Sequence, residues 1–223
     1  MYTNPLDLFQ FVEDSKIVYG PGRGDGSQEG FIITAVPPTI RRKPDDPLSF
    51  HCSSWTNFVL ACFTGLDPEQ YTHRGNMPSL FKVAGTDGRF MWNRTYRGKK
   101  LLVRDVPIQG FGEHTEDLGA MSPQQLRVVL QEPGLYVCGE STKLRSGYWK
   151  HWHHTSAFFV DDCGCIYRCA ADGFRGSRGY SHTPMRLQKL DDAFWTSVAD
   201  RKRYRPIRVN WTPLQHQVFL EGQ

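Results

Sequence analysis

Nothing in this chain of 223 residues approaches the ~20 consecutive apolar residues that span a bilayer. Stretches such as Ala157-Phe158-Phe159-Val160 fall far short, so no membrane span is expected. Residues 1–10 include Asp7 and lack a basic cluster followed by an apolar run, so a cleavable secretory signal is not expected either. The protein reads as made in the cytoplasm, and action outside the cell would need another route of delivery. Cysteine is scarce. Six residues in a chain this long do not make a disulfide scaffold, and free thiols or metal ligands come first. Charge is nearly balanced as well: 27 Lys and Arg stand against 23 Asp and Glu, a net +4 spread along the chain, which does not imply nucleic-acid binding. There is no repeat and no low-complexity tract. What is present is core material. With 39% hydrophobic and 13% aromatic residues and a mean hydropathy of -0.50, the chain reads as one domain over 1–223.

Along the chain, Asn4-Pro5 opens a helix over 5–13 that carries Leu6, Leu8, Phe9, Phe11 and Val12. Gly20, Gly22, Gly24 and Gly26 mark a loop, and the Arg23-Gly24-Asp25 triplet inside it is a product of that composition. Residues 31–36 form a strand pattern stopped by Pro37-Pro38. A polar, proline-broken connector then leads to a helix read over 49–63. In it Trp55, Phe58, Val59 and Cys62 repeat at i, i+3, i+4, i+7, and Cys52 lies three residues before Trp55 on the same stripe, in the first turn. The stretch 66–119 is an irregular insertion. Ser122-Pro123 is a capped helix start, followed by Leu126, Val129 and Leu130 on one face. Strands over 135–138 and 156–160, a turn at Asp161-Asp162-Cys163-Gly164 and a return strand over 165–170 make an antiparallel sheet. A helix over 190–199 and a last strand over 206–211 complete the pattern.

The chemistry centres on Cys52. Unpaired N–H groups and the dipole at a helix start stabilise a thiolate, which is the nucleophilic form. Its partner must be an imidazole on another rigid element. The cluster His151-Trp152-His153-His154 precedes a strand, and His154, at the strand's edge, is best placed, while the two-residue period sends His153 to the other face.

These residues carry a resemblance. Cys52-Ser53-Ser54-Trp55-Thr56-Asn57-Phe58-Val59 resembles the start of the active helix in the NlpC family of cell-wall cysteine peptidases and amidases, a branch of the papain-like fold. His154-Thr155-Ser156-Ala157-Phe158-Phe159-Val160-Asp161-Asp162, with Ile166-Tyr167-Arg168 after it, resembles that family's second block, where histidine opens a strand before a tight hairpin. The two blocks cover about forty residues of the 223. The resemblance implies an α+β, papain-like fold, Cys52 as nucleophile, His154 as general base and the Cys52 backbone N–H in an oxyanion hole. The implied substrate is a peptide or amide bond, with peptidoglycan stem peptides foremost. No cofactor or metal is implied. Two positions depart from the family. His51 stands where Asp is usual, and Arg168 stands where a polar group would orient the imidazole. Arginine cannot accept a bond from an imidazole N–H, so Asp172 or a backbone carbonyl is the expected third member. A wall hydrolase without a signal peptide fits a secreted antibacterial toxin, partnered by an immunity or adaptor protein, or a phage lytic component.

Two other readings compete. Cys163, Cys165 and Cys169, with His151 or His153, make a zinc-stabilised binding module, although Cys-x-Cys-x3-Cys is not a usual zinc-finger spacing. A papain-like domain that has lost catalysis and binds a partner is the other. For Cys62 the reading is a core thiol.

Overall fold

A computed structural model describes residues 4–19, 31–33, 40–42, 49–50, 52, 55–56, 59, 62–63, 92–96, 99–103, 115–149, 154–170, 175–176, 179–180, 184–210 and 220–221. Its first elements are α1 (Pro5–Asp14), β1 (Val18–Tyr19), β2 (Phe31–Ile33), β3 (Ile40–Arg42) and β4 (Ser49–Phe50). After β4, Cys52, Trp55, Thr56, Val59, Cys62 and Phe63 are helical. Next come β5 (Trp92–Tyr96), β6 (Lys99–Val103), β7 (Thr115–Asp117), α2 (Pro123–Val129), β8 (Gly134–Thr142), β9 (His154–Val160) and β10 (Ile166–Ala170). The rest are β11 (Arg175–Gly176), β12 (Gly179–Tyr180), β13 (Arg186–Lys189), α3 (Asp192–Val198), β14 (Lys202–Val209) and β15 (Leu220–Glu221).

Local chemistry sets the helix starts. The Asn4 side chain accepts from the Asp7 N–H at 3.0 Å, with Pro5 in the first turn. Ser122 and Gln125 form a reciprocal capping box at the start of α2, and Asp191 accepts from the Phe194 N–H to open α3. Between them lies a six-stranded sheet in the order β13-β10-β9-β8-β14-β7, antiparallel throughout. The architecture is α+β, with helices packed on an antiparallel sheet.

Strand alternation divides the sheet's side chains between two faces. On one, Tyr136, Cys138, Phe158, Val160 and Tyr204 pack with Leu126 and Leu130 of the α2 region and with Trp195 and Val198 of α3. Phe158 and Tyr204 meet edge to face, centroids 6.2 Å apart. The other face receives the Cys52 helix. Trp55, fully buried, donates its indole N–H to the Cys169 carbonyl at 2.9 Å and stacks obliquely on Phe9 of α1, with ring centroids 5.7 Å apart.

The elements depart from the sequence reading at their ends. Ser49 and Phe50, assigned above to the helix, are instead extended and pair in parallel with Val18 and Tyr19, and the first helical residue described after them is Cys52. β8 continues past Cys138 to Thr142, and β14 begins at Lys202 rather than 206. Both extensions hold charges that apolar patterning reads as loop, but Glu140, Lys202 and Arg205 all find partners there. Within the stretch expected to be irregular, β5 pairs with β6, and β7 is the edge strand of the main sheet. The glycine-rich loop with Arg23-Gly24-Asp25 lies outside the described residues. Among the described residues no helix is long and apolar enough to cross a membrane.

Trp55 ties the cysteine helix to the sheet by both ring area and one buried bond. Trp55→Phe should cost about 1 kcal/mol through the lost indole bond, and Trp55→Ala about 3–5 kcal/mol through the cavity as well. Urea unfolding checks this, and a Trp55→Phe midpoint equal to the parent's would deny the indole bond any role.

Candidate functional site

Cys52 reaches the sheet through its carbonyl. The Thr155 hydroxyl donates to Cys52 O at 2.5 Å, which leaves the Thr155 oxygen to accept from the Thr56 hydroxyl at 3.2 Å. Thr56 also lies 3.3 Å from Cys52 O. Thr56 is one turn along the helix from Cys52, so a single polar knot clamps the helix's first turn on the start of β9. Thr155 is the residue next to His154. The thiol helix and the histidine, about a hundred residues apart in the chain, therefore meet at one end of the sheet.

The two cysteines of the helix differ in setting. Cys52 is half-buried, while Cys62 is buried and burial pushes its thiol well up. A buried thiol kept protonated is an inert core side chain, as read from the stripe.

His154 is the cross-strand neighbour of Glu140 on β8, and its Nε2 is shielded from solvent. Glu140 is 1% exposed, an expensive place for a carboxylate unless it is paired. It is paired three times over. Its Oε1 accepts from the Ser156 hydroxyl at 2.6 Å and from Arg168 Nη2 at 3.0 Å, and its Oε2 accepts from Lys202 Nζ at 2.7 Å. Burial pushes the Glu140 carboxyl up, but the charges of Arg168, His154 and Lys202 and the Lys202 hydrogen bond outweigh it and hold the group well below the usual carboxylate range. Glu140 is therefore a fixed negative charge beside the imidazole. The neighbouring Cys138 thiol is pushed up by burial and by Glu140.

Of the residues expected to carry chemistry, Cys52 and His154 come to the same sheet end. They do so from opposite sides: Thr155 points to the helix-bearing face, and the alternation sends His154 to the Glu140 face. Asp172, His151 and His153 lie outside the described residues. Arg168, set aside above because it cannot accept from imidazole, instead donates to Glu140. Glu140 and Thr155 were not singled out from sequence. The one signal for Glu140 was a charge following the strand Leu135 to Cys138 directly, with only Gly139 between.

Cys163 is exposed and Cys165 half-buried in the β9–β10 turn, where Asp161 Oδ1 accepts from both of their backbone N–H groups, whereas Cys169 is buried on β10. Among the described residues no group of three or more His, Cys, Asp and Glu side chains is gathered to hold a metal. Comparison with protein-family models, curated proteins and solved structures finds no match.

Because the Glu140 pKa falls on folding, its ion pairs contribute stability that is full above the ordinary value of 4.5 and lost as pH drops below it. Glu140→Gln should cost about 3–5 kcal/mol at neutral pH by leaving Arg168 and Lys202 uncompensated. That difference from the parent protein should shrink as pH is lowered through 4 in urea titrations; a pH-independent gap would refute the charge assignment.

Proposed function

We propose that the protein is a cysteine hydrolase of papain-like fold, cutting a peptide or amide bond with Cys52 as nucleophile and His154 as base. The observation that carries this reading is the Thr155–Cys52 hydrogen bond, which docks the start of the thiol helix one residue from the histidine. The resemblance of both sequence blocks to the NlpC family supports the same pair and suggests peptidoglycan stem peptides as substrate.

In this reading His154 takes the Cys52 proton, and the sulfur attacks the scissile carbonyl carbon. A C–S bond forms, the C–N bond breaks, and the leaving amine receives the proton from His154. Water then attacks the thioester. A C–O bond forms, the C–S bond breaks, the acid product departs, and the water's proton passes through His154 back to the thiol. The oxyanion of each step faces the N–H groups of the helix start, including that of Cys52. Glu140 favours the imidazolium formed between proton transfers, although Arg168 and Lys202 offset part of its field.

Incubation with purified peptidoglycan tests the proposal. The parent protein should release new amine termini, and Cys52→Ala should release none. His154→Ala should fall at least about a hundredfold, and His153→Ala, in the alternate phase of the strand pattern, should stay active. The reverse order would move the base to His153, and silence of the parent protein on amide substrates would leave a binding domain. A thiol probe at neutral pH should label Cys52 well ahead of Cys62, and Thr155→Val should slow that labelling while costing about 1 kcal/mol of stability.

A further inference from the structure

The connection from β8 to β9 leaves and re-enters the sheet at the end where Cys52 and His154 lie. Its described part, residues 143–149, is a built hairpin. Lys143 bridges Trp149, Leu144 N–H donates to Tyr148 O at 2.7 Å, and Gly147 N–H donates to Leu144 O at 2.9 Å. Gly147 takes φ 86, open to glycine at no steric cost. The base is fastened to the turn before β14, since Lys143 N–H donates to Arg201 O at 2.9 Å.

Its outer surface is unlike the rest. Tyr148 is 76% exposed and Leu144 is also exposed; of the large hydrophobic side chains exposed among the described residues, only Val128 lies elsewhere. Among the described residues of the hairpin and of the turn beside it, Lys143, Arg145, Arg201 and Arg203 are exposed, against one exposed carboxylate, Asp200. The Arg203 guanidinium is stacked on the Trp149 ring, 4.3 Å from its centroid. Held that way, it offers its remaining donors without first losing rotamer freedom. Exposed apolar area beside exposed cations, one of them held in place, suits a ligand that is itself anionic and has apolar stems between its charges.

We infer that this hairpin is a substrate arm that grips an acidic, carboxylate-bearing peptide beside the site. The inference rests on the hydrolase reading for its purpose, but not for its test. Binding is measured with Cys52→Ala protein, which holds peptide without turnover, using a labelled glutamate-rich peptide and a serine-glycine peptide of equal length. The acidic peptide should bind preferentially and release as sodium chloride is raised. The double variant Tyr148→Ala, Arg145→Glu, both changes at exposed positions, should weaken it about tenfold while the circular dichroism spectrum stays that of the parent. Equal affinity for the two peptides, or an unchanged double variant, overturns the inference. So does preference for a single-stranded DNA oligonucleotide of the same charge. A protein that binds the acidic peptide at this arm yet cleaves no amide would sink the hydrolase reading and leave this one standing.

Discussion

One hydroxyl joins the two halves of the site. A helix start presents N–H groups forward, but its first carbonyl points back into the helix and sideways toward whatever packs there. Thr155 bonds that carbonyl, and Thr56, one turn along the same helix, bonds Thr155 in turn. The clamp is local, yet it joins chain segments that no turn or hairpin connects. Packing alone would hold the helix against the sheet through Trp55 and the buried stripe. It would not fix the helix along its own axis, because apolar contact is non-directional. A hydrogen bond of 2.5 Å is directional, and it sets the axial position of the cysteine.

The second constraint is electrical. Glu140 sits where a carboxylate can stay charged only if cations follow it inward, and Arg168 does so from β10 and Lys202 from β14. Arg168 reaches past β9 and Lys202 comes from the adjacent β14 to meet one carboxylate, which ties β10, β8 and β14 by side chains. His154 stands at the edge of this assembly. Its cross-strand neighbour is thus a carboxylate kept charged by two cations.

How much of this could be read from residues alone follows from the range of each interaction. The helix starts at Asn4-Pro5 and Ser122-Pro123, the β9–β10 turn and the antiparallel pairing were legible because capping and turn chemistry act over three or four residues. The cysteine stripe was legible because helical period is local too. The strand ends were not. Patterning treats Glu140, Lys202 and Arg205 as signs of solvent, and their burial depends on partners 28 to 88 residues away. Glu140 was missed for that reason, and Arg168 was weighed only as an acceptor when its use is as a donor. Thr155 looked like any β-branched strand residue until the helix it serves was placed beside it.

The sheet's two outer strands carry opposite signs. β13 presents Arg186 and Lys189, and β7 presents Glu116 and Asp117, although Asp117 is partly neutralised by Arg205. Two copies approaching through the same border repel each other, which blocks symmetric joining of sheets. Unlike borders attract, and that arrangement has no closure of its own. The three-residue length of β7 is then the safeguard: it offers too few backbone partners for a neighbour's strand to add on, so charge pairing cannot mature into a growing ribbon.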